Sequence, residues 1–118
     1  MQILGIHHVF LPCASVGETR AFYTDVLGMR VDPAGPRTAD PGPGAWLEVA
    51  SGQQVHTKEN ATEWHVSFEV ADLEGAIRHL TEHGVEVGEP SANPAISIRQ
   101  TAFRDPSGML LEIFERIS

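Results

Sequence analysis

Six histidines, one cysteine and a glutamate set among apolar residues are what this chain of 118 residues offers for chemistry. With Cys13 the sole cysteine, neither an internal disulfide nor a cysteine-based zinc motif can form, which fits a reducing compartment. Imidazole and carboxylate remain, and together they hold a divalent transition metal or move protons. His7 and His8 are adjacent in the apolar run LGIHHVFL, His56 lies in QQVHTK, and His65 lies in WHVSFEV. Side chains alternate along a strand, so His7 points away from His8 and reads as a hydrogen-bonded core residue. Glu112 stands among Leu110, Leu111, Ile113 and Phe114, where an unpaired carboxylate is costly and some cation must meet it. His79 and His83, beside Glu82 and Gly84, read as a solvated helix end whose dipole favours cations. Trp46, Arg99 and Gln100 are candidates to line a pocket, with ordinary strand packing and a surface charge as the alternative.

The elements that must position these residues can be read from caps and turns. Residues 4–11 have strand length, and Ser15-Val16-Gly17-Glu18 is a capping box opening a helix over residues 16–27, with Gly28 at its left-handed end. Residues 29–31 restart as a strand. Residues 32–44 hold four prolines and three glycines, so they form a loop, with a lid as one use for it. Residues 45–50 and 53–58 are strands joined at Ser51-Gly52 with the spacing of a two-residue hairpin. The order then recurs: a strand over 64–70, a helix over 73–83 capped by Asp72 and ended by Gly84, a strand over 85–88, and a loop over 90–94. Strands over 95–103 and 109–114 follow, joined through Asp105-Pro106-Ser107-Gly108.

The chain is thus βαβββ twice, and the repeat can be checked by offset. An offset of 57 places His8 on His65, Val9 on Val66 and Ser15 on Asp72. After a one-residue slip in the helix, an offset of 56 places Gly28 on Gly84, Gly52 on Gly108 and His56 on Glu112. A structural histidine has no reason to recur at a matched place, which favours a ligand role for His8 and His65.

Four stretches carry a resemblance: Ile6 to Leu11 (IHHVFL), Arg20 to Met29 (RAFYTDVLGM), Trp64 to Val70 (WHVSFEV) and Phe103 to Glu112 (FRDPSGMLLE). Through them the chain resembles the vicinal oxygen chelate superfamily, the fold of glyoxalase I, extradiol dioxygenases and bleomycin-resistance proteins, over essentially its whole length. The resemblance implies one α+β domain, residues 1–118, in which two βαβββ modules, about 1–60 and about 61–118, form a cupped mixed sheet around a divalent metal. It also implies ligands from the first and fourth strands of each module, which are His8, His56, His65 and Glu112 here. Such a donor set suits Fe, Mn, Ni, Co or Zn, and His8, His65 and Glu112 alone make the two-histidine, one-carboxylate set of non-haem iron sites. His56 departs from the resemblance, since glyoxalase I typically carries a carboxylate at this position and the related epimerases an amide.

Composition narrows the partners. A formal charge of −8 and a single lysine, Lys58, leave no footprint for nucleic acid. No apolar run reaches the roughly 20 residues of a membrane span, and the start lacks a signal peptide, so a cytoplasmic protein is expected. A small-molecule substrate and a homodimer complete the expectation. The leading function is glyoxalase- or epimerase-like lyase or isomerase chemistry on vicinal oxygens, with Glu112 or His56 as the catalytic proton carrier. The alternatives are an iron-dependent extradiol-type dioxygenase and a non-catalytic, drug-sequestering protein of the bleomycin-resistance type.

Overall fold

The computed structural model describes residues 1–33, 35, 44–94 and 96–117. It contains two compact units, residues 8–64 and residues 1–7 together with 65–118. Both hold helices beside a sheet, so the fold class is α+β, and the element order is βαβββ in each half of the chain.

Residues 8–64 contain most of β1 (Ile3–Cys13), then α1 (Val16–Ala21), β2 (Arg30–Val31), β3 (Gly44–Glu48) and β4 (Gln54–Glu59). Ser15 Oγ accepts the Glu18 N–H at 3.3 Å, the capping its spacing predicts, and Val16 N–H donates to Glu59 Oε1 at 2.7 Å, tying the helix start to β4. The helix does not stay α-helical to residue 27: Phe22–Val26 widens into a π-helical turn, where the Thr24 hydroxyl donates back to the Arg20 carbonyl at 3.0 Å. The strand order is β2-β3-β4-β1, with β1 and β4 parallel and the other pairs antiparallel. The β3–β4 connection is longer than the expected two residues. Val49 N–H bonds the Gln53 carbonyl at 3.0 Å and Gly52 N–H bonds the Val49 carbonyl at 2.9 Å, so three residues turn the chain, with Gly52 at φ +97° in the left-handed place. Most of the loop expected over residues 32–44 lies outside the described residues.

The other unit contains β5 (His65–Val70), α2 (Leu73–Glu82), β6 (Ser91–Asn93), β7 (Ile98–Arg104) and β8 (Leu110–Arg116), in the order β5-β8-β7-β6. Asp72 caps α2 by accepting the Gly75 N–H at 3.0 Å. The apolar face of α2 packs Leu73 and Ala76 against Val70 and Ile113, with Phe68, Ile77, Leu80 and Phe103 around them. Three expectations are corrected here. Residues 85–88 make no strand but a single bridge, Val87 to Phe103, and the third strand of this half is β6, within the stretch 90–94 read as loop. Pro90 and Pro94 flank this strand, and a three-residue end strand tolerates flanking prolines because its outer groups need no partner. The strand expected over 95–103 begins only at Ile98, after a turn in which Ser97 has φ +54°, and Ala95 lies outside the described residues.

The repeat holds at the level of register. In β1–β4, His8 faces Gln54 and Phe10 faces His56; in β5–β8, His65 faces Leu110 and Ser67 faces Glu112. In the antiparallel pairs, Trp46 faces His56 and Ala102 faces Glu112. Every one of these pairings is carried onto its counterpart by the offsets of 57 and 56. The matched glycines agree as well, with φ +72° at Gly28 and +79° at Gly84, and +97° at Gly52 and +82° at Gly108. Among the described residues no helix is long and apolar enough to cross a membrane.

Candidate functional site

Within residues 8–64 the strand pairings bring His8 and His56 together. Their rings stack with centroids 3.7 Å apart and 17° between planes, and both residues are buried. Trp46, opposite His56 on β3, stacks on the same imidazole at 4.1 Å and 4°. His56 Nε2 lies 2.6 Å from Gln54 Oε1, and Gln54 Nε2 donates to Asp32 Oδ2 at 2.6 Å and to Glu48 Oε2 at 3.0 Å. Arg30 pairs with Glu48 at the outer end of this chain of contacts.

Within the other unit β5 and β8 bring His65 and Glu112 together. His65 Nε2 and Glu112 Oε2 are 4.0 Å apart, both half-buried, and Ser67 Oγ donates to Glu112 Oε1 at 2.8 Å. Burial pushes the Glu112 carboxyl above the usual carboxylate range, partly offset by the Ser67 hydrogen bond, and burial lowers His65. The separation is within twice the roughly 2.0–2.2 Å bond length of zinc to nitrogen or oxygen, so one ion can meet both atoms. Nitrogen and carboxylate donors of this kind fit a divalent Mn, Fe, Co, Ni or Zn ion.

The remaining candidates make contacts of their own. His7 packs edge-on against Phe114 with centroids 5.1 Å apart. His79 and His83 lie at the end of α2, where the His83 Nδ1 is 2.8 Å from the His79 carbonyl. The Arg99 guanidinium pairs with Glu74 at 3.0 Å and with Glu115 at 3.6 Å. Gln100 faces Phe114 and so shares the sheet face of Glu112.

Two polar residues went unremarked in the sequence. Gln54 is two residues before His56 and Ser67 two after His65, and the period of a strand puts each on its histidine's face. That spacing was the available signal. Their partners, however, depend on cross-strand register, which sequence alone does not supply.

The chain is similar to known proteins in sequence and in fold. The chain is 27% identical over 124 residues to the uncharacterised protein YaeR of Escherichia coli, covering 94% of this chain and 95% of that protein. It is 28% identical over 127 residues to a protein named Glyoxylase I 4 of Arabidopsis thaliana, covering 96% of this chain and 71% of that one. Its fold is that of methylmalonyl-CoA epimerase from Mycobacterium tuberculosis, at TM-score 0.81 and 20% identity, over 98% of this chain and 90% of that structure. Residues 5–113 match the model of the Glyoxalase/Bleomycin resistance protein/Dioxygenase superfamily, and the chain belongs to that superfamily.

Proposed function

We propose that this protein is a divalent-metal-dependent enzyme that moves a proton on a small substrate with vicinal oxygens, in the manner of a glyoxalase or an epimerase. His8, His65 and Glu112 are its metal ligands, and His56, stacked on His8, adds a fourth donor or carries the proton. The observation that carries the reading is the repeated register: His8 and His65 hold one place in two matching strand pairings, and His56 and Glu112 hold another. The glyoxalase and epimerase names among its relatives support the same class of chemistry.

A bound ion of this kind supplies Lewis acidity to the two substrate oxygens and stabilises the negative charge that develops on them. The chain's own residues do the rest. Ser67 fixes one oxygen of Glu112 and so aims the other. Trp46 walls the His56 ring on one side, and His8 stacks on that same ring. Glu112 or His56 takes the proton from the substrate carbon and returns it.

The test is metal analysis of protein purified without chelators or metal-binding tags, followed by solvent deuterium exchange into 2-hydroxy-carbonyl compounds and 2-methyl acyl thioesters. Metal-dependent exchange is the expected result; its absence with every divalent ion of the series would remove the reading. The iron-dependent dioxygenase is a second reading, because His8, His65 and Glu112 alone make a two-histidine, one-carboxylate set. Oxygen uptake on catechols by the iron-loaded protein would reverse the order. We further propose a homodimer, in which a second copy covers the exposed Ile3, Leu4 and Ile6 of β1; a monomer mass by light scattering would refute it.

A further inference from the structure

We infer that Gln54 is the positioning residue for His56, holding its imidazole as the Nε2–H tautomer. The inference deepens the metal-enzyme reading and rests on it only for the catalytic meaning of His56, since the tautomer follows from contacts within residues 8–64.

The Asp32 and Glu48 carboxylates accept hydrogen bonds and donate none, so the Gln54 amide must turn its NH2 group toward them, 2.6 Å and 3.0 Å away. The Gln54 Oε1 is then the atom 2.6 Å from His56 Nε2. A carbonyl oxygen has no proton to give, so the proton in that contact belongs to Nε2. Arg30 pairs with Glu48 and fixes the carboxylate at the far end. Stacking between Trp46 and His8 holds the ring plane, at 4° and 17° to its neighbours, so the imidazole is constrained in both tilt and tautomer.

The neutral ring therefore carries its lone pair on Nδ1, and any metal bond or proton that His56 takes goes there. The matching positions of the second half are built from other residues. The counterpart of Gln54 is Leu110, which offers no hydrogen-bonding group, and the counterpart of His56 is Glu112, which is oriented by Ser67 instead. The two fourth strands thus control their functional residues by different means, an amide relay in one and a hydroxyl in the other.

Nitrogen–proton multiple-bond correlation spectra of the full-length, metal-free, isotope-labelled protein test this, with His56 assigned by its loss in His56→Asn. We expect a single Nε2–H form in the wild type. Gln54→Leu should admit a measurable Nδ1–H population, and Gln54→Lys, which puts a donor where the acceptor was, should invert the ring to Nδ1–H. A wild-type Nδ1–H form would overturn the proposal. So would an unchanged spectrum in Gln54→Leu or, if that variant does not fold, in Gln54→Lys. On adding Zn²⁺ to the wild type, Nε2 of His56 should stay protonated, and its conversion to a metal-bound nitrogen would also overturn the proposal. If Zn²⁺ shifts neither His8 nor His65, the metal reading fails while the tautomer result stands.

Discussion

Trp46 lies flat on His56 across the β3–β4 pair, and at the matching place in the other half of the chain Ala102 faces Glu112. One fourth-strand residue is thus covered by an indole and the other is left beside a methyl group. The difference gives the two positions different work: His56 is held in a fixed plane, and Glu112 has no large side chain facing it from β7.

Replacing Trp46 should therefore disturb His56 before it disturbs the fold. Trp46→Ala is expected to destabilise the protein by about 2–4 kcal/mol, from lost packing and the lost stack. Gly35→Ala offers a milder probe, since its Cβ would come within 2.7 Å of Trp46 Cγ and push the indole. Denaturant melts of both variants, beside the His56 nitrogen spectrum, check this: a stable Trp46→Ala with an unaltered His56 signal would count against the stack.

The purified protein should hold about one divalent metal ion per chain, and the His8→Ala, Glu112→Ala double variant should hold almost none. Elemental analysis after exhaustive buffer exchange decides it. Full occupancy in the double variant would place the metal elsewhere.

Ser67→Ala removes the hydroxyl that donates to Glu112 Oε1 while leaving both proposed ligands of its unit in place. Ser67 is fully buried, so water does not readily replace it. We expect metal affinity to fall by about 10-fold, the lower end for loss of an outer-shell partner. Competition with a chromophoric chelator reads the change, and equal affinities would show that Glu112 needs no such support.

Glu112 also sets a pH dependence whose sign is fixed by its surroundings. Burial raises its carboxyl in the folded, metal-free protein, so folding favours the protonated form. Its contribution to stability is then present below the unfolded carboxylate range and is lost as pH rises through the folded value. His65, lowered by burial, works the other way, losing stability as pH falls through its folded value. Comparing Glu112→Gln with the wild type isolates the first effect: without metal the variant should gain stability relative to the wild type as pH rises from the unfolded carboxylate range through the folded value, and the gain should reverse when metal is added. Urea midpoints across that range measure it.

The parts of this picture that the sequence disclosed are those written in local chemistry. Ser15 and Asp72 open their helices because a short polar side chain can accept an N–H three residues on, and Gly28 and Gly84 close them because both sit at positive φ. The recurrence of His8 at His65 exposed the duplicated plan. What stayed hidden depends on where a strand edge comes to lie. Residues 85–88 look like a strand and reach β7 through one bridge, while Ser91–Asn93, bracketed by prolines, pairs fully with Ile98 to Gln100. The roles of Gln54 and Ser67 were hidden for the same reason, since each needs a partner whose approach is set by register or by a distant side chain.

In each unit one end of the strand order is taken by its shortest strand, β2 with two residues and β6 with three. An exposed strand edge is a template on which another chain can polymerise, and its hazard grows with the number of unpaired rungs in a row. Two or three rungs, closed off by Pro90 and Pro94 in the case of β6, are too few to seed cross-β growth. The prolines that obscured β6 in the sequence thus act as guards against fibrils, and lengthening that strand by replacing them would be the way to make this protein aggregate.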